Sequence, residues 1–294
     1  MSVIDAFTRA PGVHLSFFSV VVPAYNAEDT LAGTLEALVG QTFDDWECVI
    51  VDDGSTDGTR AVADSAAAAD QRLTVVTQDN RGTGAAYNTG VRVASGEWVT
   101  VCSADDVLLP RHLSCMRDAI AAGPDSDILS CNGYYWGPDG SRRLVYRGAA
   151  GRTARSWTLE ETFERCFFSV GACYRYSLFD LLGGYREDVY GEDYDFWLRA
   201  MAAGARHRYV PEALSLHRVS ATQKSADRVR AYESDIRSIS AVLEVTDLTE
   251  SQVLAARAAI RHRRRLISEL EHPGSIATRA RRFIRPLVVR LRGR

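Results

Sequence analysis

Three pairs of adjacent carboxylates stand at the ends of regular-looking runs. Asp52-Asp53 follows the apolar stretch Val49-Ile50-Val51, Asp105-Asp106 follows Trp98 to Cys102, and Glu192-Asp193 opens an amphipathic run. Strands of a parallel sheet present functional groups at their carboxyl ends, in the crevice where ligands bind. Neighbouring carboxylates also repel each other unless a cation or a hydrogen-bond donor offsets the repulsion. A metal ion or a bound ligand is the simplest remedy.

The elements that must carry these pairs can be read from periodicity. Phe17 to Val22, Cys48 to Val51, Leu73 to Thr77 and Trp98 to Cys102 read as strands. Glu28 to Val39, Asp57 to Ala69 and Thr83 to Ala94 read as the helices between them. Such alternation predicts βαβ units on a parallel sheet, and makes the first hundred residues a nucleotide-binding half. Further on, Pro110 to Ala122 predicts a helix entered on proline. Ile128 to Trp136 and Arg142 to Arg147 predict a hairpin across Gly137-Pro138-Asp139-Gly140. Helices are expected at Tyr176 to Leu182 and Tyr194 to Ala203, each closed by glycine. Beyond His217 the pattern is helical over Ala226 to Leu243, Glu250 to Leu270 and Ile276 to Leu291.

With 294 residues, 46% hydrophobic and 25% charged, the chain can hold one large α/β domain and a helical appendage around a sizeable core. The N-terminus lacks a basic region followed by an apolar core and a cleavage site, and no apolar run reaches the roughly 18 residues of a spanning helix. A cytoplasmic location is therefore expected. Cys48, Cys102, Cys115, Cys131, Cys166 and Cys173 include no Cys-x-x-Cys pair and read as reduced, mostly buried thiols rather than zinc ligands.

Five segments in order, Val22-Pro23-Ala24-Tyr25-Asn26-Ala27-Glu28, Gln41-Thr42-Phe43, Val51 to Thr59, Ala104-Asp105-Asp106 and Gly191 to Arg199, resemble glycosyltransferase family 2. The resemblance covers about Ser19 to Ser225. It implies the GT-A fold, a Rossmann-like, mostly parallel sheet flanked by helices, here with a C-terminal helical appendage. The expected division is a catalytic domain over 15–225, with a nucleotide-sugar half at 15–107 and an acceptor half at 108–225, and a helical region over 226–294. It also implies an inverting, metal-dependent transfer of sugar from a UDP- or dTDP-sugar to an acceptor hydroxyl in polysaccharide or glycolipid assembly.

The same resemblance assigns roles. Pro23, Tyr25 and Glu28 would line the base and ribose pocket, and Asp53 would accept the N3–H of a uracil or thymine, a task suited to an ionised carboxylate. The bland alternative for Asp53 is a turn residue before Gly54. Arg81, in a glycine-rich loop ahead of a helix, would reach the base or diphosphate, or else is a surface arginine. Asp106 would bind Mg²⁺ or Mn²⁺ and Asp105 the ribose or sugar, since these ions favour few carboxylates plus phosphate oxygens. Many relatives carry an acid where this chain has Ser103, which leaves that division of roles open. Asp193 would be the catalytic base, taking the acceptor hydroxyl's proton as the bond forms, at a helix start whose dipole favours an anion. Glu192 and Trp197 are placed on the acceptor side, Trp197 packing beneath the site rather than stacking on a sugar. Asp195 and Arg199, at i and i+4, read as an intrahelical ion pair worth a few tenths of a kcal/mol. His217 is offset from the family's usual histidine and is either a metal ligand or an ordinary core or surface residue.

Charge is uneven along the chain. From Arg257 to Arg294 there are twelve arginines and two glutamates, +10, which leaves −13 on the rest. Interleaved with Leu266, Ile267, Phe283, Leu287 and Val288, these arginines suggest an amphipathic tail resting peripherally on the inner face of a membrane. A packing or oligomerisation helix is the alternative, compatible with a homo-oligomer. Nucleic acid is not expected, because the acidic body opposes a polyanion. The competing functions are a catalytically silent nucleotide-sugar-binding module and a nucleotidyltransferase. The latter would need a glycine- and lysine-rich loop near the N-terminus, whereas the single lysine is Lys224.

Overall fold

The computed structural model describes residues 16–146, 156–166, 168, 170–219, 226–245 and 247–272. In chain order the elements are β1 (Phe18–Ala24), α1 (Leu31–Val39), β2 (Trp46–Asp52), α2 (Thr59–Ala69), β3 (Leu73–Thr77), α3 (Thr83–Val93), β4 (Trp98–Val101), β5 (Val107–Leu108) and α4 (His112–Ala122). There follow β6 (Ile128–Trp136), β7 (Arg142–Leu144), α5 (Leu159–Glu164), β8 (Cys173–Arg175), α6 (Tyr176–Leu182), α7 (Glu192–Ala202), β9 (His207–Arg218), α8 (Arg228–Val245) and α9 (Glu250–Glu271).

Among the described residues the strands form one nine-stranded sheet, ordered β3-β2-β1-β4-β8-β6-β9-β5 with β7 on β6. The first four are parallel, and β8 joins antiparallel to both β4 and β6. Strand order steps outward from β1 to β3 and then reverses to β4 on the other side. That switch opens a crevice at the carboxyl ends of β1, β2 and β4, where Pro23, Asp53 and the Asp105-Asp106 pair emerge.

The parallel strands read as continuous apolar runs because both faces are covered. Phe18, Val20, Val22, Cys48 and Ile50 pack with α1, α2 and α4, while Val21 and Val99 face Tyr87, Phe196 and Trp197 on the other side. Among the described residues none of the six cysteines is in a disulfide, and five of them are buried.

The expected C-terminal helical region is present as α8 and α9, packed onto the α/β body. Ile239, Val242, Ala256, Ala259 and Ile260 belong to the same core as Val21 and Trp197. The third expected helix, with the arginines beyond residue 272, lies outside the described residues. Among the described residues no helix is long and apolar enough to cross a membrane.

Four elements escape sequence periodicity: β5, β8, α5 and β9. The first three are short. The twelve-residue β9 contains Pro211, but its pairing with β6 shifts register between Cys131 and Asn132, passing from Val210 to Ala213. A proline is tolerated at such a bulge because no ladder hydrogen bond is asked of it.

Candidate functional site

Two adjoining cavities occupy the crevice. One, of about 690 Å³, is lined by Pro23, Tyr25, Asp53, Thr83, Asp105, Glu192 and Arg218 among others. The second, of about 390 Å³, is lined by Asp106, Asp193, His217, Tyr87, Tyr135 and Trp197 among others. Ser103 borders both, so the Ser103–Asp106 loop is the wall between them.

The larger cavity is built by loops sewn to one another. Leaving β1, Asn26 takes a left-handed φ of 48° and accepts a hydrogen bond from Thr56 N at 2.9 Å, while Ala27 N donates to Thr59 Oγ1 at 2.7 Å. Glu28 turns to Gly58 N, which donates to its Oε2 at 2.6 Å, and so braces the loop instead of lining the cavity. Tyr25 is 50% exposed, a ring available for stacking.

Asp53 is buried and accepts from Gln78 Nε2 at 2.7 Å, Arg81 N at 3.0 Å and Gly82 N at 2.8 Å. An ionised carboxylate has about four acceptor sites, so these bonds leave room for one more donor. Asp53 thereby shapes the Arg81 loop as well as bordering the cavity. The Arg81 side chain is exposed and, among the described residues, donates to Gln78 Oε1 at 3.5 Å. Asp52, its neighbour, accepts from Ser55 N at 3.0 Å, and Gly54 (φ +73°) has no space for a side chain, since a Cβ would lie 2.9 Å from Asn80 N.

The Asp105-Asp106 loop is held from beneath. Thr34 Oγ1 on α1 lies 3.0 Å from Ala104 O and 2.8 Å from Asp106 O. Gln41 donates to Leu108 O and Leu109 O and accepts from Leu113 N at 3.0 Å, which gives the Gln41-Thr42-Phe43 segment a structural purpose. Asp106 is buried, its Oδ1 accepting from Arg218 N at 3.0 Å and lying 3.1 Å from His217 Nδ1. Burial opposes protonation of His217, but its hydrogen bond to Asp106 and the charges of Asp106, Asp105 and Asp193 prevail and raise its pKa. Burial, then the charge of Asp106, raises the pKa of Asp105, against His217 and Arg218. Such a crowd of acids favours a cation.

Among the described residues no three or more His, Cys, Asp or Glu side chains gather as ready metal ligands. Asp106 and His217 nevertheless form a carboxylate–imidazole pair beside an open cavity. The Asp106 carboxylate, completed by phosphate oxygens and water, fits Mg²⁺ or Mn²⁺, with the His217 imidazole the softer donor beside it.

On the opposite wall, Asp193 lies exposed in the first turn of α7 and borders the smaller cavity. Glu192, expected on the acceptor side, is buried and borders the larger cavity with Asp53 and Asp105. Trp197 is 1% exposed, stacks on Phe168 at 4.7 Å and lines the smaller cavity. The segment leading into α7 passes close over α3 at Gly84, where a Cβ would meet Arg186 O at 2.9 Å.

Several site residues carry no sequence signal. Tyr135 meets His217 edge-on at 5.7 Å because the β6–β9 register pairs them. Arg218 donates from Nε to Asp105 O and stacks over Trp136 at 4.4 Å, within the larger cavity. Only the basic residue after His217 could have hinted at it.

The family model described as Glycosyl transferase family 2 matches residues 19–180. The glycosyltransferase GlyG of Streptococcus pneumoniae is 35% identical over 117 residues, which cover 40% of this chain and 38% of GlyG. The chain spans about a third of the length of several such curated relatives. The succinoglycan biosynthesis protein ExoU of Rhizobium meliloti is 28% identical over 83% of this chain and 74% of its own. The crystal structure of S. aureus TarS 1-349 in complex with UDP-GlcNAc superimposes with a TM-score of 0.72 at 25% identity, covering 87% of this chain and 74% of that one.

Proposed function

The chain belongs to glycosyl transferase family 2, and on that premise we propose that it moves a sugar, with inversion, from a UDP- or dTDP-sugar to an acceptor hydroxyl during polysaccharide or glycolipid assembly. The observation that carries this reading is the division of the crevice. Tyr25, Asp53 and Asp105 line one cavity, and Asp193 borders the other together with the Asp106–His217 pair, with Ser103 common to both. In this reading the nucleotide occupies the larger cavity, its base beside Tyr25 and Asp53, with Arg81 and Arg218 as the nearby cations. The acceptor enters the smaller one, where the Asp193 carboxylate removes the proton of the attacking hydroxyl. Asp106 and His217 would hold Mg²⁺ or Mn²⁺, which supplies positive charge to the departing diphosphate. Glu192, on the donor side, adds a carboxylate within reach of the sugar. The UDP-GlcNAc bound in TarS and the succinoglycan assignment of ExoU support the donor class and the pathway type.

Asp193→Asn tests the reading. It is expected to abolish transfer while leaving nucleotide-sugar binding intact, measured by metal-dependent thermal shift against a panel of UDP- and dTDP-sugars; a variant with normal turnover refutes it. The arginine-rich segment after α9 supports a further part of the proposal, peripheral contact with an anionic membrane from the cytoplasmic side.

A further inference from the structure

We propose that Ser234 on α8 and Arg263 on α9, both C-terminal to the family match, are positioning residues that hold the first turn of α7 where Asp193 can act. This rests on the reading of Asp193 as the base. Helix α7 starts at Gly191 without a side-chain cap, so its entry must be fixed from outside. Ser234 is fully buried, and its Oγ accepts hydrogen bonds from both Tyr190 N and Gly191 N at 3.0 Å, the two amides that precede Glu192. On the far side of Asp193, the Tyr194 hydroxyl donates to Thr162 O at 2.9 Å and accepts from Arg263 Nη2 at 3.0 Å.

Arg263 also donates from Nη1 to Phe163 O at 2.8 Å and pairs through Nε with Asp235 at 2.7 Å. It is buried, whereas Arg257, Arg261, Arg264 and Arg265 on the same helix are exposed. Burying one guanidinium costs desolvation that only a full set of acceptors offsets. Here that set is spent on the backbone of α5, on α8 and on the residue next to Asp193. Residues 191 and 194 are thus pinned from behind while the carboxylate between them faces the cavity. A displacement of about 1 Å at a reacting group can cost on the order of a hundredfold in rate.

The test compares Ser234→Ala, Arg263→Met and the conservative Arg263→Lys with Val242→Ala, a buried α8 change that touches no hydrogen bond to α7. Two readouts are taken on the full chain: amide hydrogen exchange over residues 186–196, and turnover of UDP-GlcNAc with Mn²⁺. Ser234→Ala should speed exchange at Tyr190 and Gly191 by about tenfold. It should also lower kcat roughly ten- to a hundredfold with donor KM within about twofold. Arg263→Met should act in the same direction, with Arg263→Lys between it and the parent because lysine keeps the charge but loses the fork. Val242→Ala should lower the melting temperature without either effect. Unchanged exchange in Ser234→Ala overturns the inference, as does a kcat loss shared equally by Val242→Ala. Turnover lost in Asp193→Asn but retained in Ser234→Ala overturns it alone, whereas normal turnover in Asp193→Asn overturns the base assignment beneath it.

Discussion

Replacing Arg199 by methionine separates two views of one ion pair. Spacing alone makes Asp195–Arg199 an i, i+4 pair, which on an exposed helix is worth about 0.3–0.5 kcal/mol. In the folded protein the Asp195 side chain is 1% exposed and that of Arg199 18%, with Nε and Oδ2 2.7 Å apart. Arg199 further donates to Leu182 O at 3.0 Å and Gly184 O at 2.8 Å, tying α7 to the end of α6. Removing one partner of a buried pair strands the other charge and costs about 3–5 kcal/mol. Arg186 remains 3.7 Å from the second Asp195 oxygen, which sets the expectation at the lower end, about 3 kcal/mol. For a chain of this size that is a fall of roughly 6 °C in melting temperature. Urea unfolding of Arg199→Met, Asp195→Asn and the double variant would give the loss and the coupling in one cycle. A loss below about 1 kcal/mol for Arg199→Met would mean that solvent screens the pair, and would refute the reasoning.

Other outcomes follow from named contacts. Asp106→Asn should remove the Mn²⁺-dependent part of the thermal shift produced by a nucleotide sugar, and an undiminished shift would exclude Asp106 from the metal. Gly84→Ala should destabilise by about 1–3 kcal/mol in urea, because its Cβ has backbone to meet. Burial lowers the pKa of His112 to about 4 and of His207 to about 3. Their contribution is therefore whole above the unfolded value of about 6.5 and lost as pH falls toward those folded values, with a slope of up to about 2.7 kcal/mol per pH unit for the two together. A flat stability curve between pH 6.5 and 4 would contradict this. In liposome flotation with anionic lipid, the full chain should float and a chain ending at His272 should not; equal flotation defeats the membrane proposal.

Much of this protein was legible without coordinates. β3, β6 and α6 match their expected bounds, and the other strands and helices of the first hundred residues fall within about three residues of theirs, because buried parallel strands and amphipathic helices write strong periodicities. The three acidic pairs could be located because each follows or opens such an element. What spacing left open was which side chain faces which neighbour. His217 reaches Asp106 only through the pairing of β9 with β5 and β6, across a bulge around Pro211 that local pattern does not encode. Arg263 looked like one basic residue among twelve until burial singled it out. Glu192 and Asp193, adjacent in sequence, border different cavities because successive helical positions point about 100° apart. The sequence by itself determined which chemistry could be done and at which element ends. Only the tertiary structure decided how those ends meet, since contacts between residues a hundred positions apart depend on sheet order and helix packing, which no local run of residues carries.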